Sequence, residues 1–180
     1  ISQTSVFCKL MERVIVADVI AYMHEKNFIT KQQHGFLSGR STTTNLLESL
    51  SDLTLTIDNK QTNTVVYVDF SKAFDTVSRA KLITKLKGYG VEGDLLNIID
   101  DFLTDRQQKT RVGRRLSTTQ KLTSGVVQGS CLGPLLFLIF VNDIADIFDN
   151  DVTPKLYADD LKIYATILSD LDSIRLQENI

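Results

Sequence analysis

Three aspartates of this sequence have the residue type and setting that phosphoryl chemistry uses. Asp69 closes the run Thr64-Val65-Val66-Tyr67-Val68, and Asp159-Asp160 separate the apolar stretches around Leu156-Tyr157 and Leu161 to Ile163. An aspartate ending an apolar strand is as often a cap for the next helix as a ligand. Two adjacent aspartates on a tight apolar hairpin are harder to explain structurally. Like charges that close repel, and only Lys155 and Lys162 flank them to neutralise the repulsion. A divalent cation relieves it, and Mg²⁺ is commonly held by one or two carboxylates together with substrate phosphates. If the two strand ends are neighbours in one sheet, three carboxylates converge, which is the constellation that two-metal phosphoryl transfer needs.

Other segments supply what such chemistry wants next. Ser71-Lys72-Ala73 follows Asp69 at a strand-to-helix turn, where free backbone N–H groups can bind phosphate oxygens. Phe74 offers a flat ring to a sugar. Gln128-Gly129 combines an amide with a residue lacking a side chain, useful where a base or sugar approaches closely. Taken singly, a Gly-rich loop before a helix is usually a turn and a phenylalanine is usually core; the combination carries the weight.

Hydrophobic periodicity indicates the elements that must position these groups. Helices are predicted over Val6 to His24 and Ser41 to Ile57, the second with N-cap oxygens at Ser41, Thr42 and Thr43 and an apolar stripe of Leu46, Leu47, Leu50, Leu53 and Ile57. Between them, Gln32 to Arg40 reads as a turn-rich connection, with His34 a turn residue. Thr64 to Val68 reads as a buried central strand. Helices follow over Ser78 to Lys87 and Gly93 to Thr104, then a hairpin of Lys109 to Val112 and Leu116 to Leu122 around Gly113. The Gly-rich stretch Ser124 to Pro134 leads into a helix from Leu135 to about Phe148, Thr153 to Tyr157 and Leu161 to Thr166 form a second hairpin, and Asp172 to Asn179 form a last helix. The order is that of an α+β fold.

Composition bounds the answer. The chain has 180 residues, 43% hydrophobic and 23% charged, which excludes a disordered or fibrous protein. Its 2 cysteines, Cys8 and Cys131, exclude a disulfide scaffold and suit a reducing compartment. No signal peptide opens it, and the apolar run Leu135 to Val141 is too short to cross a bilayer, so no membrane partner is expected. A net charge of -2 speaks against binding nucleic acid by bulk charge, but the charge is unevenly spread. Residues 72–121 hold 11 basic and 6 acidic side chains, a net of +5; residues 143–180 hold 3 basic and 9 acidic, a net of -6. A phosphate-contacting surface beside a cation-binding carboxylate cluster would produce that split.

Four blocks resemble the reverse transcriptases of non-LTR retrotransposons, the long interspersed element type. Val68-Asp69-Phe70-Ser71-Lys72-Ala73-Phe74-Asp75-Thr76-Val77 is similar to their motif A, and Ser124 to Phe137 to motif B. Tyr157-Ala158-Asp159-Asp160 is similar to motif C, and Gln33-His34-Gly35-Phe36 through Gly39-Arg40-Ser41-Thr42 to the segment linking fingers to palm. In order, the blocks cover nearly the whole chain. Val127 departs from the pattern, standing where family members usually carry proline.

The resemblance implies a right-hand polymerase palm, a ferredoxin-like antiparallel sheet with helices, preceded by fingers-type helices: residues 1–62 as partial fingers and connection, residues 63–180 as palm. It implies RNA-directed DNA polymerase activity, with Asp69, Asp159 and Asp160 catalytic, and Asp69, Phe70, Asp159 and Asp160 around two Mg²⁺ ions, or Mn²⁺ in their place. Phe70, Ser71, Lys72, Ala73, Phe74, Gln128 and Gly129 would bind the dNTP, Phe74 by screening the 2′ position of the sugar. Tyr157, Ala158 and Arg40 would meet primer or template. Implied partners are an RNA template, a DNA primer, dNTPs, and the remaining fingers, thumb and endonuclease of a parent polyprotein acting inside the cell, in nucleus and cytoplasm if the host is eukaryotic. Ile1-Ser2-Gln3 resembles the tail of an Arg-Pro-Ile-Ser block, which implies a triphosphate-contacting arginine before residue 1, and the resemblance implies a lysine-bearing motif D after Ile180. Three alternatives stay open: a group II intron maturase-type enzyme, a nucleotide cyclase, and a truncated or inactive element that at most binds nucleic acid.

Overall fold

The computed structural model describes residues 5–179; Ile1, Ser2 and Gln3 lie outside them. In chain order the elements are α1 (Val6–Glu25), α2 (Thr42–Asp58), β1 (Thr62–Asp69), α3 (Ala73–Thr76), α4 (Arg79–Gly88) and α5 (Gly93–Leu103). Short strands β2 (Gln107–Gln108), β3 (Arg111–Val112), β4 (Arg115–Leu116) and β5 (Gln120–Lys121) come next, then α6 (Leu132–Val141) and a 3₁₀ segment, Asn142–Ile147. β6 (Val152–Tyr157), β7 (Asp160–Ile167) and α7 (Asp170–Glu178) complete the chain. The mixed helical and antiparallel content is the α+β fold expected.

The chain divides into two compact units, each built from two stretches. One joins the described residues up to Phe28 with Lys72–Phe140; the other joins Ile29–Ser71 with the chain from Val141 onward.

The first unit is organised on α6, buried along Leu132, Gly133 and Leu135 to Ile139. A helix apolar all round belongs in a core. It starts at Leu132, three residues before the expected Leu135, because its first turn is satisfied from outside. The Glu12 carboxylate accepts from the Cys131 and Leu132 N–H groups at 2.6 and 3.0 Å, and Ser130 Oγ accepts from Gly133 N–H at 2.8 Å. It also ends early: at Asn142 the chain tightens to 3₁₀, and the Asn142 side chain accepts from the Thr30 N–H at 3.0 Å. The predicted hairpin forms as two separate antiparallel pairs, β2 with β5 and β3 with β4. In α1, Glu12, Val19 and Met23 are the buried residues, while Phe7, Leu10, Met11 and Val14 of the apolar set are exposed.

The second unit holds a three-stranded antiparallel sheet in the order β1-β7-β6. β1 is therefore an edge strand among the described residues, and none of its residues is fully buried. This corrects the expected buried central strand. Side chains alternate across a strand, so Val66 and Val68 reach the apolar cluster of Val152, Leu156, Leu161, Ile163, Ala165 and Leu176 while Tyr67 is 78% exposed.

The opposite sheet face is polar, and α2 lies on it through the matching side of its helix. Glu48 accepts from Lys155 at 2.8 Å, Asp52 accepts from the Tyr164 hydroxyl, and Thr56 meets Thr166 at 3.5 Å. That i, i+4, i+8 spacing lines one helical face. The apolar stripe read from the sequence is consequently the outer one, with Leu46, Leu47, Leu50 and Ile57 exposed and Leu53 half-buried. The N-cap expectation holds at Ser41, which forms a capping box with Thr44.

Candidate functional site

The β6–β7 hairpin carries two of the three aspartates. Tyr157 pairs with Asp160, which leaves Ala158 and Asp159 as a two-residue turn. Asp160 pairs on its other side with Asp69, the last residue of β1. Directly opposed residues share a sheet face at a Cα separation of roughly 4.5–5.5 Å, so Tyr157, Asp160 and Asp69 line one end of that face with Asp159 in the adjoining turn. Asp69 and Asp160 are exposed and Asp159 is half-buried.

Neither flanking lysine neutralises them. Lys155 Nζ lies 2.8 Å from Glu48, whose carboxyl that hydrogen bond holds below the usual range. Lys162 is only 8% exposed, and burial, reinforced by Lys155 and opposed by Asp52, lowers its pKa. Among the described residues no ion pair reaches Asp69, Asp159 or Asp160. The donor chemistry thus fits a hard divalent cation, with carboxylate oxygens and no competing cation. The side chains are not gathered on one point: among the described residues no group of three or more His, Cys, Asp or Glu stands at metal-holding spacing.

Motif A continues into Phe70, whose ring packs on the apolar cluster, and exposed Ser71. In the first unit Lys72 adopts a left-handed φ of 52° and precedes α3. Phe74 stacks on Phe137 with ring centroids 4.4 Å apart and an interplanar angle of 11°. The loop carrying Gln128 and Gly129 is sewn to this segment. Val126 N–H donates to the Phe74 carbonyl at 2.8 Å, Gly125 N–H to Val77 at 2.9 Å, and Ser124 Oγ to the Asp75 carbonyl at 2.8 Å. Gly125 has φ +90°, and a Cβ there would sit 2.8 Å from Asp75 Cα, so glycine is required. Gln128 and Gly129 are exposed beyond it, while Val127, the departure from proline, is buried.

An open cavity of about 1150 Å³ in the same unit is lined by Gln128 and by Arg79, Arg106, Lys109, Arg111 and Lys121. Arg79 is committed to Asp100 by a bidentate pair at 2.8 and 3.0 Å, and Lys121 lies 3.2 Å from Asp105. Arg106 lies over the Phe102 ring, its guanidinium carbon 5.0 Å from the centroid. No ion pair engages Lys109 or Arg111 among the described residues, and the cavity gathers 5 of the 11 basic side chains of residues 72–121.

The connection Gln32 to Arg40 proves more ordered than a turn-rich stretch suggests. His34 is 1% exposed, with Nδ1 2.9 Å from Thr44 Oγ1 and Nε2 3.2 Å from the Arg40 guanidinium. Thr44 Oγ1 already donates to the Ser41 carbonyl, so Nδ1–H donates to it and Nε2 accepts from Arg40. Arg40, half-buried, also donates to the Lys31 carbonyl and so belongs mainly to this local network. Gln33 and Gly35, given no role by sequence, contact Ala158 directly. Their only signal is the Gln-His-Gly-Phe block itself, because an irregular segment has no periodicity to read.

The chain is 32% identical over 144 residues, 80% of its length, to a protein named probable RNA-directed DNA polymerase from transposon BS of Drosophila melanogaster. It is 28% identical over 161 residues to the RNA-directed DNA polymerase from mobile element jockey of the same species. It spans only 16% and 18% of those two relatives. The fold is similar to that of apo telomerase from Candida tropicalis, with a TM-score of 0.62 at 12% identity over 93% of this chain and 35% of that one, and so is of the right-hand polymerase type. The model of the family described as reverse transcriptase (RNA-dependent DNA polymerase) matches residues 1–178, and the chain belongs to that family.

Proposed function

We propose that this chain is the palm-centred part of an RNA-directed DNA polymerase that joins a dNTP to a primer 3′-hydroxyl on an RNA template. The observation that best supports it is the sheet register, in which Asp69 faces Asp160 beside the turn that holds Asp159, all three without a cationic partner among the described residues. Asp69, Asp159 and Asp160, with the backbone of Phe70, would hold two Mg²⁺ ions, or Mn²⁺ in their place. Bound there, such ions neutralise phosphate charge and lower the pKa of the primer hydroxyl.

This chain's own groups then bind and orient. Ser71, Lys72 and Ala73 offer backbone donors, and Lys72 a cation, to the triphosphate. Phe74, its ring fixed against Phe137, screens the 2′ position of the sugar and favours deoxynucleotides. Gln128 and Gly129 meet base and template. Tyr157 and Ala158 lie at the primer end, and Arg40 offers a phosphate its remaining N–H groups. Lys109 and Arg111 add sequence-independent attraction for a nucleic-acid backbone. The activity belongs to a longer intracellular polypeptide, nuclear and cytoplasmic in a eukaryotic host, that supplies the remaining fingers, a thumb and an endonuclease.

The test is RNA-templated primer extension by the full natural polypeptide carrying this chain. Asp159→Asn is expected to cut incorporation by more than about 100-fold, since groups one shell further from a metal already cost 10–100-fold, while leaving primer–template affinity within about twofold. Undiminished synthesis would overturn the proposal. The ungathered carboxylates favour a second reading, a domain that binds nucleic acid without synthesis; wild-type binding with no Mg²⁺-dependent extension would select it.

A further inference from the structure

The turn that carries Asp159 is held from outside its own hairpin. The connection runs parallel to the outer edge of β6: His34 N–H donates to the Leu156 carbonyl and Leu156 N–H to the Gln32 carbonyl, both at 2.9 Å. One ladder step further on, among the described residues, no backbone–backbone hydrogen bond continues the pairing. The Gln33 side chain does so instead. Its Oε1 accepts from Ala158 N–H at 2.9 Å and its Nε2 donates to the Ala158 carbonyl at 3.4 Å. A primary amide presents the same acceptor and donor as a peptide group, so Gln33 acts as a detached piece of strand.

The position it grips is one that needs gripping. Ala158 has φ +57°, the first residue of a two-residue turn where glycine is favoured. A left-handed conformation brings the Cβ of a non-glycine residue too close to the backbone and is unfavourable for it. Ala158 is only 7% exposed, and losing a partner for its buried backbone groups would add a further penalty. Gln33 is itself 1% exposed, and Gly35 N–H locks its amide by donating to Oε1 at 2.7 Å. Gly35 also presses on the turn, for a Cβ there would lie 2.2 Å from Ala158 N. Two residues of the connection, Gln33 and Gly35, thus bear on one strained residue, and Asp159 is its neighbour.

We infer that Gln33 is a positioning residue for Asp159, its amide completing the β6 ladder and holding Ala158 in the left-handed conformation that sets where the next carboxylate points. The inference rests on the reading above in one respect, that the Asp159 carboxylate takes part in nucleotidyl transfer. Its structural half, the grip on Ala158, stands independently.

The experiment uses the full natural polypeptide with Gln33→Leu, which keeps the side-chain volume and removes both hydrogen bonds. Amide hydrogen exchange of the segment Lys155 to Leu161 reads the grip directly, with no substrate present. Exchange at Ala158 is expected to accelerate at least about tenfold while the melting of the whole protein shifts by only a few degrees. In primer extension, kcat should fall about 10–100-fold with KM for primer–template unchanged. Partial unfolding would also lower the apparent kcat with KM unchanged, but only in proportion to the folded fraction, so kcat is referred to the folded fraction read from the same melting curve, and a fall that this fraction accounts for in full would overturn the inference. Replacing Ala158 by glycine in the Gln33→Leu background removes the left-handed penalty and should restore part of kcat. An Ala158 amide unprotected in the wild type, which needs no variant, would overturn the inference. So would a Gln33→Leu protein with unchanged kcat beside an inactive Asp159→Asn protein, leaving the polymerase reading intact. Activity retained by Asp159→Asn would overturn both.

Discussion

Buried polar side chains of the connection carry more of this protein's organisation than the sequence suggests, and His34 is the clearest case. Burial, with Arg40 adding to it and Glu48 opposing it, lowers the imidazole pKa below its ordinary 6.5. Above that value the ring is neutral in folded and unfolded chains, and its titration leaves stability unchanged. Below it the unfolded chain takes up a proton that the folded one resists, so stability falls as pH drops through 6.5 towards the depressed folded value. Urea unfolding compared between pH 7.5 and 5.5 should show this loss in the wild type and a smaller one in His34→Gln. An identical loss in both would place the titration elsewhere. Glu48, next to it, pairs with Lys155 at 2.8 Å, which is why Lys155 is unavailable to the aspartates of the turn.

At the scale of elements, the loop from Ser124 to Ser130 shows how close approach rather than flexibility selects glycine. Gly125 and Gly113 both have positive φ, +90° and +60°, yet only Gly125 meets backbone where a Cβ would go. Gly113→Ala should therefore cost only the conformational penalty of about 1 kcal/mol, whereas Gly125→Ala should cost more than about 2 kcal/mol because the Phe74–Asp75 backbone must move as well. Denaturant midpoints of the two variants give the comparison; equal losses would mean the loop yields freely. The N-terminus of α6 obeys a related rule, since Glu12 from α1 caps a helix whose own sequence begins Leu-Gly-Pro.

Across the whole molecule, α2 turns its leucines outward, and the first turns of α1 expose Phe7, Leu10, Met11 and Val14. Apolar surface in contiguous patches of this kind is uncommon on free-standing domains. Leu47→Lys with Leu50→Lys should leave stability within about 0.5 kcal/mol, as expected for substitutions away from the core. It should also visibly lower the fluorescence of a hydrophobic dye bound to the native chain. Unchanged dye binding would locate the accessible apolar surface elsewhere.

Local information carried a large part of this reading. Helix and strand types follow from periods of 3.6 and 2 within short windows, so α1, α2, α4, α5 and the β6–β7 hairpin were legible to within a residue or two. Adjacent charges on a hairpin tip are likewise a local anomaly, which is why Asp159 and Asp160 stand out from sequence alone. What could not be read is everything set by pairing across long separations. Periodicity says that α2 has an apolar side but not that the sheet face awaiting it presents Lys155, Tyr164 and Thr166, so the side that packs on the sheet is the polar one. A run of valines says strand but not edge. The register that sets Asp69 against Asp160, and the amide of Gln33 that finishes the ladder of β6, depend on which strands meet. Those meetings join residues about 90 and 125 positions apart and are fixed by the shared burial of the assembled sheet, not by any window of the chain.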